Sequence, residues 1–188
     1  MSSTYQASGT LIRGYCSVLT EMKVFNEVCA RLSRGSSTIL THPPLPSMWV
    51  PVEPLLDVIV AIEALMGAEV LRQVAFRVTR ESVRPIVGSM AKTLLAMFGT
   101  SPASIYERMA KLAGVVIRGL EYQYTRGGPS SGRMEVRMPF SVPTANFVVW
   151  EGTLRVPFAL CGVEGTVAPH QALPGGVGAT FAVSWTPK

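Results

Sequence analysis

Apolar positions recur every three or four residues through most of the first two thirds of the chain. They then switch to strict alternation after Gly119. In the opening segment Val18, Met22, Phe25, Val28, Cys29 and Leu32 share one helical face, which predicts a helix from about Tyr15 to Leu32 with Gly35 as its stop. The prolines of "THPPLPSMWVPVEP" then force an extended connector, because proline lacks an amide donor and restricts its predecessor. A helix is expected over Pro54 to Met66, interrupted by Gly67. A long helical region follows over residues 68 to 98, with Leu71, Val74, Val78, Val87, Leu94 and Phe98 inward and a break or kink near Pro85. Gly99 reads as a stop, Ser101 as the next cap and Pro102 as a first-turn residue.

The alternating part is equally regular. Leu120, Tyr122 and Tyr124 oppose Glu121, Gln123 and Thr125; "GGPSSG" turns the chain; Met134, Val136 and Met138 oppose Arg133, Glu135 and Arg137. Near the end Val177, Ala179, Phe181, Val183 and Trp185 alternate with smaller or polar residues. Between these strands "FVVWEGTLRVPFAL" returns to helical spacing: Val149, Thr153, Val156 and Leu160 form one stripe, Gly152 allows close approach to a neighbour and Pro157 bends the helix. Glu151 and Arg155 stand at i and i+4, the favourable order for a surface ion pair, so Glu151 needs no catalytic duty. The expected architecture is α+β: a helical layer packed on an antiparallel sheet of about four strands, with a crossing helix between the strand pairs. One domain is expected over 1–188, mainly helical in 1–118 and strand-strand-helix-strand-strand in 119–188.

Composition narrows the function. Hydrophobic residues make up 48% of the 188 and mean hydropathy is +0.31, yet Asp57, Glu63 and Glu69 break the most apolar stretch, so no membrane span is expected. The N-terminus lacks the basic start and apolar run of a secretory signal, and a cytoplasmic location is expected. Cys16, Cys29 and Cys161 are odd in number and far apart, which fits reduced, buried thiols. The net charge of +5 comes from scattered residues without a Lys/Arg run, so nucleic acid is not an expected partner. There is no HExxH, no CxxC and no phosphate loop, and His42 and His170 stand apart from any nucleophile motif; no catalytic or metal-ligating residue and no enzyme activity are expected.

The motifs "MWVP" at 48–51, "FGTSP" at 98–102, "FVVWEG" at 147–152 and the closing "CGVEGTV" and "FAVSW" resemble a myxobacterial family of paralogous proteins of unknown function. That family is similar in turn to the ligand-binding superfamily of haem nitric-oxide sensor domains, vinyl-reductase-type domains and TRAPP vesicle-tethering subunits. The resemblance implies a helical cap over a sheet, an apolar cavity between them and often dimerisation. The haem branch grips propionates with Tyr, any residue, Ser, any residue, Arg; "YQYTR" offers Tyr122 and Arg126 but has Tyr124 in place of the serine, and no histidine lies between Ala68 and Gly119. On those grounds haem is not expected and the cofactor expectation is none. The trafficking branch binds acyl chains, sometimes through a cysteine, for which Cys16 is the one loosely placed thiol. Two functions remain open. One is a sensory or regulatory module holding a small apolar ligand or lipid near Tyr122, Tyr124, Phe147 and Trp150. The other is a ligand-free module whose apolar surplus serves a homodimer or protein partner in bacterial signalling or assembly.

Overall fold

The structure is a computed structural model describing residues 5–98 and 101–187, with the backbone alone for 83–98. It is an α+β fold in which helices cover one face of an antiparallel sheet. The expected inward positions Val87, Leu94 and Phe98, and the stop at Gly99, lie outside the described side chains.

The chain begins with a strand the sequence pattern did not suggest. β1 (Gln6–Ser8) pairs antiparallel with β2 (Trp49–Pro51) and with β3 (Ile117–Arg118), so the proline-rich connector supplies one edge of a small three-stranded ribbon. Its side is covered by the Arg118 guanidinium, 3.7 Å above the Trp49 ring, a cation–π contact.

The single helix expected over Tyr15 to Leu32 is two, and a third follows it. α1 (Gly9–Glu21) starts on a Ser8 side-chain cap and α2 (Phe25–Ala30) follows a turn in which Lys23 takes a positive φ of 60°. α3 (Arg34–Thr41) is capped by Ser33, whose Oγ accepts from the Ser36 amide at 3.1 Å. Gly35 thus sits inside a new helix rather than ending an old one. A serine two residues before a glycine is an N-cap signal, and the cap wins over the helix-breaking tendency of one glycine.

α4 (Glu53–Phe98) is the spine of the molecule, kinked at Gly67, whose φ of 82° and ψ of 167° are closed to residues with a Cβ. The helix runs on across Pro85 and is not divided there. α5 (Pro102–Tyr106) and α6 (Met109–Ala113) then lead to the sheet.

β4 (Glu121–Gly128), β5 (Ser131–Arg137), β6 (Gly165–Val167) and β8 (Gly178–Trp185) form the main sheet in the order β4-β5-β8-β6, all antiparallel, with short β7 (Gln171–Ala172) also on β8. Met134, Val136, Ala179, Phe181 and Val183 are buried on its inner face, as their alternation predicts. α7 (Thr144–Thr153) and α8 (Val156–Cys161) cross between the strand pairs. They are two helices because Pro157 cannot donate an amide to Thr153, so the ladder of α7 cannot continue. The carbonyl of Leu154 left at the break is taken up by the buried Tyr106 hydroxyl, which donates at 2.6 Å.

Candidate functional site

α7 carries two chemistries on two faces. Asn146, Val149, Trp150 and Thr153, at i, i+3, i+4 and i+7, look into a cleft. Phe147, Val148, Glu151 and Gly152 turn toward α4 and the sheet and are buried.

The second face is held by a buried carboxylate. An added Cβ on Gly152 would stand 2.2 Å from the carbonyl oxygen of Arg72, so α7 crosses α4 with almost no gap there. That approach sets Glu151, 2% exposed, beside Arg72, whose Nε donates to Oε2 at 2.5 Å. The other oxygen, Oε1, accepts from the His170 amide at 2.8 Å and from His170 Nδ1 at 2.8 Å. Against an acceptor-only carboxylate, Nδ1 is the protonated ring nitrogen. Burial raises the Glu151 pKa, but the His170 amide, the Arg72 guanidinium and the His170 ring outweigh it and hold the group below its ordinary value. The Glu151–Arg155 pair expected from spacing is not formed. Arg155 lies in the break between α7 and α8 and reaches Glu69 Oε1 at 3.7 Å, whereas Glu151 faces inward.

The first face lines a slot closed by α1, the start of α4, α6, β3 and α8. About 900 Å³ lies empty between its walls and out through its mouth, and little of that space is wide enough to admit a water molecule, so the slot is narrow. Its described lining is aliphatic and aromatic and carries no charged side chain. Val149, Thr153, Val156 and Leu160, the stripe read from the sequence, form one wall.

The expected ligand residues fall in different places. Trp150 lines the slot. Tyr122 meets Trp150 edge-on, ring centroids 5.6 Å apart, and its buried hydroxyl has no hydrogen-bond partner. Tyr124 stacks on Tyr106 at 5.3 Å and lies over Gly132, where any Cβ would collide with its ring. Phe147 packs in the core against His170 at 5.3 Å. Sequence reasoning missed Asn146, which is 3% exposed, lines the slot and has an Nδ2 without a partner. Its place on the i, i+3, i+4, i+7 face with Val149, Trp150 and Thr153 was the available signal.

Solved structures similar over nearly the whole chain are H-NOX proteins, haem nitric-oxide sensor domains. The Fe(II) unliganded H-NOX protein from K. algicida has a TM-score of 0.67 at 9% identity, covering 96% of this chain and 97% of that one. An oxygen-binding H-NOX domain related to soluble guanylate cyclases, in its oxygen complex, has a TM-score of 0.59 at 9% identity, with 96% and 95% covered. An H-NOX protein studied for haem redox potential under porphyrin distortion has 0.62 at 10%, again with 96% and 95% covered. No family model and no curated protein matches the chain. The fold is therefore that of the haem nitric-oxide sensors, as the resemblance implied.

This overturns the expectation that the chain takes no cofactor. The missing histidine weighed against haem, but the proteins that share the fold are haem proteins. The aliphatic and aromatic lining matches the apolar part of haem, whereas no described lining residue is charged to meet its two carboxylates. No histidine is in the described lining, but the chemistry of the donor set does not depend on one, since methionine and tyrosine also serve as axial ligands. Met109, Tyr5 and Tyr15 line the slot. Burial pushes both phenols well above the ordinary tyrosine value, so the Met109 thioether is the one of these donors that needs no deprotonation. Arg126, the arginine of the partial motif match, donates from Nε to Glu107 Oε1 at 2.8 Å. Among the described residues no group of three or more His, Cys, Asp or Glu could hold a metal ion, and no helix is long and apolar enough to cross a membrane.

Proposed function

We propose that this chain is a non-enzymatic, cytoplasmic sensory or regulatory module that binds a small, mainly apolar ligand between its helical layer and its sheet, with haem the first ligand to test. The observation that supports this reading is the narrow slot walled by α7 among the helices and the small ribbon, with no charged side chain in its described lining. The fold neighbours support it, being proteins that hold haem and, in one case, oxygen. Haem in the slot would supply an iron centre able to take a diatomic gas. The chain's own part is to exclude water with the wall from Val149 to Leu160, to orient the ligand against Trp150 and to offer Met109 as a neutral donor.

The reading has a direct test. The protein purified from cells supplied with a haem precursor is weighed by native mass spectrometry and its absorbance recorded before and after adding haemin. A retained small molecule, or a Soret band that saturates at one haem per chain and weakens in Met109→Leu, supports it. A bare chain that takes up neither haem nor an apolar probe sinks it.

A second reading has its own observation. Leu45, Met48 and Val115 are large, exposed and apolar. The amides of Ser8 and Gly9 bond the carbonyls of Val116 and Met48, which gathers that loop and the start of β3 around the head of α1. Such a patch suits a homodimer or protein partner. A bare dimer in the same mass spectrum, dispersed by Met48→Glu, favours it.

A further inference from the structure

An amide donor buried in an oily slot without a partner forfeits its hydration for nothing, so native structures rarely keep one idle. Asn146 is such a group. It is 3% exposed, and its backbone amide is already satisfied by Pro143. Its amide is turned toward the Tyr5 hydroxyl as a donor, yet Nδ2 completes no hydrogen bond there or elsewhere. As the third residue of α7 it is past the capping position, so no helix-end duty accounts for it. A leucine would fill the same place on this face without stranding a donor.

The surroundings narrow what could use that donor. Tyr5, Val149 and Trp150 stand with Asn146 in the lining, and no described lining residue is charged. An ionised carboxylate or phosphate brought against Asn146 would lose its water and gain no counter-charge from the described lining. A pure hydrocarbon would leave Nδ2 as it is. An uncharged oxygen acceptor is what remains. We propose that Asn146 is the specificity-determining residue of the slot, donating from Nδ2 to a neutral carbonyl-type oxygen on an otherwise apolar ligand.

This rests on the slot being a ligand site, and the test separates the two. Decan-2-one and decane, alike in shape and differing in one oxygen, are titrated into the full chain by calorimetry. The wild type is expected to bind the ketone about tenfold more tightly than the alkane, the size of one net neutral hydrogen bond. Asn146→Leu is expected to bind the two within about twofold and to be at least as resistant to urea as the wild type. A second measurement needs no variant: the infrared carbonyl stretch of bound decan-2-one falls to lower frequency than in heptane. Equal binding of both molecules by the wild type, or an unshifted stretch, overturns the role of Asn146 while leaving the slot a ligand site. Binding of neither molecule overturns the slot as a ligand site, and this inference with it.

Discussion

Glu151 is the residue whose surroundings differ most from its sequence neighbourhood. Beside Trp150 and four residues before Arg155 it reads as a surface partner, yet it is buried against a histidine 19 residues later and an arginine 79 residues earlier. Its folded pKa lies below the ordinary value of 4.5, which fixes the sign of the linkage. The stability it contributes is fully present above that value and is lost as pH falls through the lower folded pKa. Glu151→Gln leaves Arg72 without its inner partner, but Arg72 is partly exposed and keeps Glu69, so a loss of about 2 kcal/mol at pH 7 is expected rather than the full cost of a stranded buried charge. Urea midpoints measured from pH 7 down to pH 3 check both points. The gap between wild type and variant should be constant above about pH 5 and close as Glu151 protonates; a gap independent of pH would mean the carboxylate is not ionised in the fold.

At the scale of elements, periodicity carried most of the information. The alternation after Gly119 yields the buried inner positions Met134, Val136, Ala179, Phe181 and Val183, because a two-residue period survives where one face is buried, although Thr180 of the opposite set is buried too. The stripe Val149, Thr153, Val156, Leu160 lines the slot although its helix is broken, since Pro157 interrupts hydrogen bonding without turning that face away. What could not be read was nonlocal. β1 is only three residues long and is a strand only because β2 and β3 flank it; nothing within Gln6–Ser8 encodes partners more than 40 residues away. Arg72 meets Glu151 for the same reason, through the crossing of α4 and α7. Gly152 is where that crossing can be tested. A methyl group there must displace the Arg72 carbonyl, so Gly152→Ala should cost about 1–3 kcal/mol despite alanine's better helix propensity. Gly35→Ala, also in a helix but with only the Ser33 hydroxyl near an added Cβ, should be neutral or mildly stabilising. Thermal unfolding of the two variants side by side checks the pair, and equal shifts would mean that α7 and α4 do not touch at Gly152.

For the whole molecule, the slot matters because elements far apart in the sequence build it: α1, α4, α7 and α8, with Ile117 of the small ribbon. A ligand there binds only the folded chain and should stabilise it as a unit, by about 2.7 kcal/mol at a hundredfold excess over Kd. In a chain of this size that corresponds to roughly 5–10 °C in Tm. Val149 is half-buried on the slot wall, so Val149→Phe puts extra side-chain volume into the space a ligand would take. The unliganded variant should melt within a few degrees of the wild type, because the new ring enters existing space rather than a filled core. With haemin or decan-2-one, the wild type should gain its several degrees and Val149→Phe almost none. A ligand-induced gain of equal size in both proteins would place the binding elsewhere on the fold and remove the slot from its function.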